Sequence, residues 1–418
     1  MAKEQKQDIV VGLDLGTTKV CTIIGEQDDE GQVHIIGVGT TPSTGLKKGS
    51  VVNIEQTIAA IKKSIADAER MAGVEVTSAF AGVAGGHIKG LNSRGVIAVS
   101  RKDKEITEED RERVIEAAQA IAIPLDREII HVIPQEYIVD DQDGIKNPVG
   151  MSGVRLEAEV HVVTGGVTSV QNIVRSVERA GIQVADIILQ PLASAEAILS
   201  ADEKELGVVL VDIGGGTTDI AVFINGSLWH TGIITLGGAL VTSDVAVGLR
   251  TPNTEAESIK IQYGCAYTAM VKEEEEITVP GVGGRPDRRM PRRVLSEIIE
   301  ARMEEIFELV GAELKKHGFE DRIPAGAVIT GGAALMEGTA ELAEKILQLP
   351  VRIGSPKRVG GLTDVVANPS YSTAVGLVLM GMPKPGSKVE KKGMNFGSGE
   401  DMFKNVLGRM KKWFGDSI

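Results

Sequence analysis

Residues 10–20, VVGLDLGTTKV, and 208–220, VVLVDIGGGTTDI, repeat one order of residue types. Each runs as an apolar strand ending in an acid, a turn of glycine and threonine, and a second apolar strand. Glycine lets the backbone bend where a Cβ would clash and brings N–H groups close to an anion. Gly16, Thr17, Thr18 and Lys19 in the first copy, and Gly214, Gly215, Gly216 and Thr217 in the second, are therefore candidate phosphate ligands. The acids, Asp14 and Asp212, cannot hold phosphate themselves. They suit a hydrated Mg2+, which one or two carboxylates hold beside phosphate oxygens. One such unit alone describes a tight hairpin. Two copies imply like domains facing each other across a polyphosphate and its metal.

The elements that must carry these turns also repeat. After Asp14 come apolar stretches at 20–25 and 33–38, then Ile54, Ile58, Ile61, Ile65 and Ala68 at helical spacing. After Asp212 come residues 220–224, the turn pair Asn225 and Gly226, residues 227–234, and a helix from about Ala239. Strand, strand, strand, helix is expected in both halves.

This arrangement resembles the phosphate clamp of the actin, sugar-kinase and heat-shock-chaperone ATPase superfamily, and further motifs follow in its order. Gly331, Gly332 and Ala333, in ITGGAAL at 329–335, resemble that superfamily's adenosine motif, where backbone runs close against base and ribose. Gly237 and Gly238 resemble its loop near the outer phosphates. Glu257 and Lys260 lie three apart and share a helix face. The resemblance implies that they reach ribose and base; spacing alone describes a surface ion pair. Gln190, before Pro191, matches the position where an acid or amide places the water that attacks the γ-phosphate. An amide can orient water but is no base at neutral pH, and the same residues describe an ordinary strand-to-helix turn. Binding of ATP with Mg2+ is implied. Turnover stays open, weak or partner-dependent hydrolysis being compatible with these motifs.

Within the superfamily the chain is similar to the FtsA family of bacterial cell-division proteins over residues 9–414. The opening DIVVGLDLGTTKV at 8–20 carries that likeness, as does an interruption of about 75 residues near 85–160, where the family has an extra subdomain. The tail carries it too. At 100° per residue, Met402, Phe403, Val406, Leu407, Met410, Trp413 and Phe414 fall within an arc of about 140°, leaving Lys404, Arg409, Lys411 and Lys412 on the rest. Such a helix suits an anionic membrane interface, each cation adding about 1 kcal/mol; a terminal helix packed on its own domain would also be amphipathic. Residues 383–399, rich in glycine and lysine, show no packing pattern and read as a tether spanning about 20–25 Å, which favours the membrane.

Charge divides the same way. The chain has 45 basic and 58 acidic residues, net −13, whereas residues 384–418 are net +4, so the remainder carries −17. An acidic body is repelled by nucleic acid and by anionic lipid. No nucleic-acid partner is expected, and membrane attachment should rest on Phe403, Leu407, Lys411, Lys412, Trp413 and Phe414. Hydrophobic content of 42% over 418 residues suffices for two cores, and 3% aromatic content makes them aliphatic. Cys21 and Cys265 read as buried thiols of a reducing cytoplasm. No leader is visible at 1–8, and the longest apolar run, 374–382, falls short of the roughly 17 residues a membrane span needs.

The interruption itself predicts a small α+β unit: a helix opening at Thr107 and running to about Ile121, strands at 128–133 and 154–163, and a polar loop at 140–148. His87, His131 and His161 have no metal-ligand spacing there and read as structural. In the FtsA family this subdomain contributes to self-association and to contacts with later division proteins. The basic cluster at 285–293 follows an acidic run at 273–276. The family's neighbouring subdomain receives an acidic and apolar C-terminal peptide of FtsZ, which makes Arg293 and Arg302 candidate carboxylate partners; helical pairing with Glu297 and Glu305 is the structural alternative.

The expected architecture is α/β and actin-like, with two related domains around a nucleotide cleft. The first half takes 8–84 with 161–192, the inserted subdomain 85–160, and the second half 193–382, with its smaller subdomain at about 235–305. A linker at 383–399 and an amphipathic helix at 400–416 complete the chain. A small-molecule kinase would need a further acid in the cleft, and none is marked. A chaperone ATPase would need more residues after Gly381. The resemblance implies an ATP-binding division protein that polymerises on the cytoplasmic face of the inner membrane at the septum, anchors FtsZ filaments there and recruits later division proteins. The alternative is another actin-like scaffold, such as the pilus-assembly ATPase PilM.

Overall fold

A computed structural model describes residues 8–101, 103–281 and 286–383. The first half is built on a six-stranded sheet. β1 (Asp8–Leu15), β2 (Lys19–Gln27) and β3 (Val33–Pro42) form an antiparallel meander, followed by a small ribbon of β4 (Leu46–Lys47) and β5 (Ser50–Val51). Helix α1 (Ile54–Ala72) then leads to β6 (Ser78–Val83), which returns parallel to β1. Asn53 starts α1 by accepting from the Gln56 N–H, and Gly73, at φ 70°, ends it. Ile58, Ile61, Ile65 and Ala68 form the buried stripe that the spacing predicts.

The chain then leaves for the inserted unit: β7 (Lys89–Ala98), α2 (Glu108–Gln119), β8 (Arg127–Val139), β9 (Gln142–Ile145) and β10 (Arg155–Gly166). Its sheet runs β7-β10-β8-β9 and has its own core of Val114, Ala118, Tyr137, Leu156 and Val160 under α2. Three details correct the sequence-based expectation. The polar loop at 140–148 contains β9. The strand expected to stop at 133 continues through Pro134, which lies at a register shift between β8 and β10, where a missing N–H disturbs the ladder least. β7 was not foreseen, because an edge strand with mostly exposed side chains shows no apolar run.

β10 feeds α3 (Val167–Arg179) and β11 (Gln183–Leu189), which pairs parallel with β6. The second half opens with α4 (Gln190–Ile198) and α5 (Ala201–Leu206) and repeats the meander as β12 (Val208–Ile213), β13 (Thr218–Ile224) and β14 (Ser227–Ile234). Next come α6 (Gly238–Leu249), α7 (Asn253–Tyr263), the ribbon β15 (Glu276–Val279) and β16 (Arg288–Pro291), and the long α8 (Arg292–Lys316). β17 (Ala327–Thr330), α9 (Thr339–Leu347) and β18 (Val351–Ile353) complete a sheet ordered β14-β13-β12-β17-β18. The first sheet, β3-β2-β1-β6-β11, has the same order, so the repeat seen in the letters is a repeat of topology.

The chain finally crosses back. β19 (Val359–Gly361) pairs with β3, α10 (Thr363–Val366) follows, and α11 (Ser372–Gly381) packs on β1 and α4, adding Val375, Leu377 and Val378 to the first core. The second core gathers Val209, Ile220, Val222, Ile299 and Phe307. The inserted unit docks on the edge strand of the second half, where Gln135 Nε2 donates to the Leu228 and Trp229 carbonyls at 3.0 and 3.1 Å. Cys21 and Cys265 are buried and unbridged, as expected.

Candidate nucleotide site

The two hairpin turns have equal length: Gly16 N–H donates to Lys19 O at 3.0 Å, and Gly214 N–H to Thr217 O at 2.9 Å. The threonines are consequently not equivalent, which corrects the expectation of two identical turns. Thr17 and Thr18 occupy the tip of the first, whereas Gly215 and Gly216 occupy the tip of the second. The tips meet. A Cβ on Gly216 would stand 2.5 Å from Thr17 Oγ1, and one on Gly215 would overlap Thr18. Bare backbone on one wall makes room for hydroxyls on the other.

Between and behind the tips lies a cavity of about 210 Å³. Of the predicted residues, Gly16, Thr17, Thr18, Lys19, Gly214, Gly215, Gly216, Thr217, Gly331, Gly332, Gln190, Asp14 and Asp212 line it. Gly237, Gly238, Glu257, Lys260 and Ala333 are not in its lining. They cluster beside it. Gly238 N–H donates to Gly214 O at 2.9 Å, and a Cβ on Gly237 would stand 2.6 Å from the same oxygen, so this loop braces the second turn. Lys260 Nζ donates to Glu257 Oε2 at 2.7 Å, Thr242 Oγ1 at 2.8 Å and Gly238 O at 3.1 Å, which uses all three of its donors. Lys260 is nearly buried while Glu257 stays about half exposed, so the pair ties α7 to α6 at the rim of the surface.

The acids are held by helix α4. Gln190 Nε2 donates to Asp14 Oδ1 at 2.9 Å, while Ser194 Oγ donates to Asp212 Oδ2 at 2.7 Å. Thr373 of α11 reaches the same Asp212 oxygen at 3.4 Å. Burial pushes the Asp14 carboxyl up to about 7, against the pull of Lys19, with Asp212 pushing it further. Asp212 is raised by burial and restrained by its two hydroxyl donors. Lys19 bridges across the cavity edge, donating to Ser370 O at 2.6 Å with its ammonium 4.2 Å from the centre of the Tyr371 ring.

A third acid stands here, and it corrects the expectation that the cleft holds none beyond the pair. Asp219 lines the cavity and faces Asp212 directly in the β12–β13 register. One of its oxygens accepts from Thr217 at 3.2 Å; the other, Oδ1, is buried with no partner. Burial and then Asp212 push it up to about 8. It sits inside the quoted motif, and its seven-residue offset from Asp212 matches that of Cys21 from Asp14, so strand register was the signal that could have found it. Ser194 and Thr373 carried no such signal, since only the fold brings them to Asp212.

The remaining candidates lie elsewhere. Arg293 is exposed and pairs with Glu297 at 3.2 Å. Arg302 grips Asp244 of α6 through Nε at 2.6 Å and Nη2 at 3.2 Å, and also meets Glu305. His161 is bound by Asn92 and Thr231, and His131 accepts from the Leu189 N–H at 3.0 Å. Phe403, Leu407, Lys411, Lys412, Trp413 and Phe414 fall outside the described residues.

Residues 209–376 match the family model described as Cell division protein FtsA, and residues 85–164 match that of the SHS2 domain inserted in FTSA. A Cell division protein FtsA of Pseudomonas aeruginosa is 52% identical over 415 residues, covering 99% of this chain and 99% of that protein. The chain belongs to the FtsA family of cell division proteins. Its fold class is the expected actin-like one with an inserted domain. A PilM-PilN type IV pilus biogenesis complex aligns at TM-score 0.65 and 15% identity, covering 88% of this chain and 97% of that one. MreB5 of Spiroplasma citri bound to ADP aligns at TM-score 0.53 and 16% identity, covering 89% and 96%. At such identities these two show the fold alone, so the likeness to PilM is architectural while the sequence belongs with FtsA. Among the described residues, no helix is long and apolar enough to cross a membrane.

Proposed function

We propose that this FtsA-family chain binds ATP with Mg2+ between its hairpins, polymerises, and tethers FtsZ filaments to the cytoplasmic face of the cell membrane at the division septum. The observation that carries this is the common cavity: Asp14 and Asp212, from the two halves, line one space with both turns around it. The nucleotide reading gains support from the ADP of the MreB5 relative in fold. The donor set fits the metal, since three carboxylates offer hard oxygens and Asp219 Oδ1 lacks a partner. Asp14 and Asp212 would hold Mg2+ through its waters, and the ion, when bound, neutralises phosphate charge.

The chain's own groups do the rest. N–H groups at the turn tips, 17–18 and 215–216, would face the phosphates, Lys19 adds a cation, and Gly331 and Gly332 leave space for the nucleoside beside β17. Gln190, already aimed at Asp14, would orient water for weak or partner-dependent hydrolysis. Closure of the halves alters the surfaces that stack subunits. The helix at 400–416 then binds anionic lipid weakly per copy, and a filament sums these attachments as avidity. Arg293 and Arg302 offer guanidinium groups to the acidic FtsZ peptide, and the inserted domain meets later division proteins.

The test is cosedimentation of FtsZ with anionic vesicles, with and without MgATP, comparing the full chain with one ending at Gly381. FtsZ should pellet with vesicles only beside the full chain. Equal pelleting with both proteins overturns the tether.

A further inference from the structure

His230 on β14, 83 residues before Glu313, converges with Glu313 in the last turn of α8 and His317 at the end of that helix, apart from the nucleotide cavity. His230 Nε2 and His317 Nε2 lie 3.1 and 3.2 Å from the same oxygen, Glu313 Oε1, and the three ligand atoms all fall within 4.8 Å of one another. We propose that these residues form a binding site for a divalent transition-metal ion, with zinc as the best match.

Two imidazoles and one carboxylate are a donor set that zinc takes in three-ligand sites, leaving a fourth position open. Bonds of 2.0–2.1 Å in tetrahedral geometry separate neighbouring ligand atoms by about 3.3 Å. The observed separations of 3.1 and 3.2 Å already approach that edge. Two elements hold the ligands in place: Glu313 and His317 are four apart on one helical face, while His230 projects from a strand and is nearly buried. Lys316 lies 3.5 Å from the other Glu313 oxygen and would steady the carboxylate from outside, and Phe319, 5.6 Å from the His230 ring, walls one side.

Binding would clamp α8 to β14. The next residue on β14, Thr231, already joins His161 of the inserted domain at 2.9 Å. The ion would therefore fix one strand between the long helix of the second half and the inserted domain, with water in its fourth position.

The test is zinc binding to the full chain by competition with a chromophoric chelator in excess Mg2+, together with Co2+ as a spectroscopic probe. One equivalent of zinc should bind, Co2+ should give the visible spectrum of a four-coordinate site, and zinc should raise the unfolding temperature. His317→Gln and His230→Gln should each weaken binding at least about tenfold and abolish both the Co2+ spectrum and the thermal shift. His317 lies at an exposed helix end, so its variant carries the test even if His230→Gln folds poorly. Failure of the full chain to bind zinc, or an equivalent that survives both substitutions, overturns the proposal.

Discussion

Gln190 and Ser194 stand one turn apart on α4, and each hydrogen-bonds the acid of a different hairpin, Asp14 at 2.9 Å and Asp212 at 2.7 Å. A single rigid helix thus spans the two walls of the cleft, so a rotation of one half against the other must lengthen one of these bonds. Ser194→Ala leaves Asp212 with only the 3.4 Å contact from Thr373 and should destabilise the apo protein by about 1–3 kcal/mol while weakening Mg2+-dependent nucleotide binding. Gln190→Ala should act differently. Affinity for MgATP should stay within about threefold and single-turnover hydrolysis should slow at least about tenfold, the signature of a group used in the reaction more than in binding. Thermal unfolding and single-turnover assays separate the two variants.

The contact of Gly216 with Thr17 makes a second prediction. With the Thr17 hydroxyl 2.5 Å from the Cβ position, Gly216→Ala should cost about 1–3 kcal/mol through overpacking. Thr17→Gly opens that space. In a double-mutant cycle read by denaturant unfolding, the pair should therefore cost less than the sum of the single changes. Strict additivity would mean that the two turns do not press on one another.

Asp219 should make apo stability depend on pH in an unusual direction. An unfolded aspartate ionises near 3.9, whereas folding pushes Asp219 up to about 8, so between these values the native state binds the extra proton. Stability is then largest at the acidic side of that window and falls as pH rises through the folded value. Asp219→Asn removes this loss. Without nucleotide or Mg2+, the variant should melt close to wild type near pH 4 and increasingly above it toward pH 8, the gap levelling off beyond that. A gap that does not widen with pH would show that Asp219 ionises normally.

Much of this was legible in the letters, for reasons that the structure makes plain. The strand-turn-strand units, the α1 stripe and the Asn225–Gly226 hairpin are local patterns, and local patterns survive folding. What escaped was set by register or by long-range packing. Asp219 needed the strand pairing opposite Asp212; Ser194 and Thr373 lie 18 and 161 residues from the acid they hold. The His230 and Glu313 pair is separated by 83 residues, so no metal-ligand spacing could announce it. The equal length of the two turns also shows a limit of matching letters, since the threonine pairs align by type and not by position.

Arg302 tests how the second half would receive a peptide. Its guanidinium is committed to Asp244 through two nitrogens, which ties α8 to α6 and holds its pKa above the usual value. A partner carboxylate must compete with that pair. Asp244→Asn should release the guanidinium and strengthen binding of the FtsZ C-terminal peptide by several-fold, about 1 kcal/mol, whereas Arg302→Ala should weaken it. Fluorescence anisotropy with a labelled peptide checks both. If the two variants lose stability alike and leave peptide affinity unchanged, Arg302 serves the helix pair alone.

Substitutions in the tail test whether lipid attachment can be separated from nucleotide chemistry. Lys411 and Lys412 flank an apolar side that includes Trp413, and each cation near an anionic surface contributes about 1 kcal/mol. Reversing two lysines removes two attractions and adds two repulsions, and Trp413→Glu places a carboxylate where the ring would enter the interface. The triple variant Lys411→Glu, Lys412→Glu and Trp413→Glu should lose cosedimentation with anionic liposomes and keep MgATP affinity, because the substitutions lie beyond the segment 8–383 that contains the cavity. The body carries net −17 when the +4 of residues 384–418 is set aside, so it has no electrostatic reason to stay on such a surface. Retained cosedimentation would therefore locate the lipid contact on the body, against its own charge.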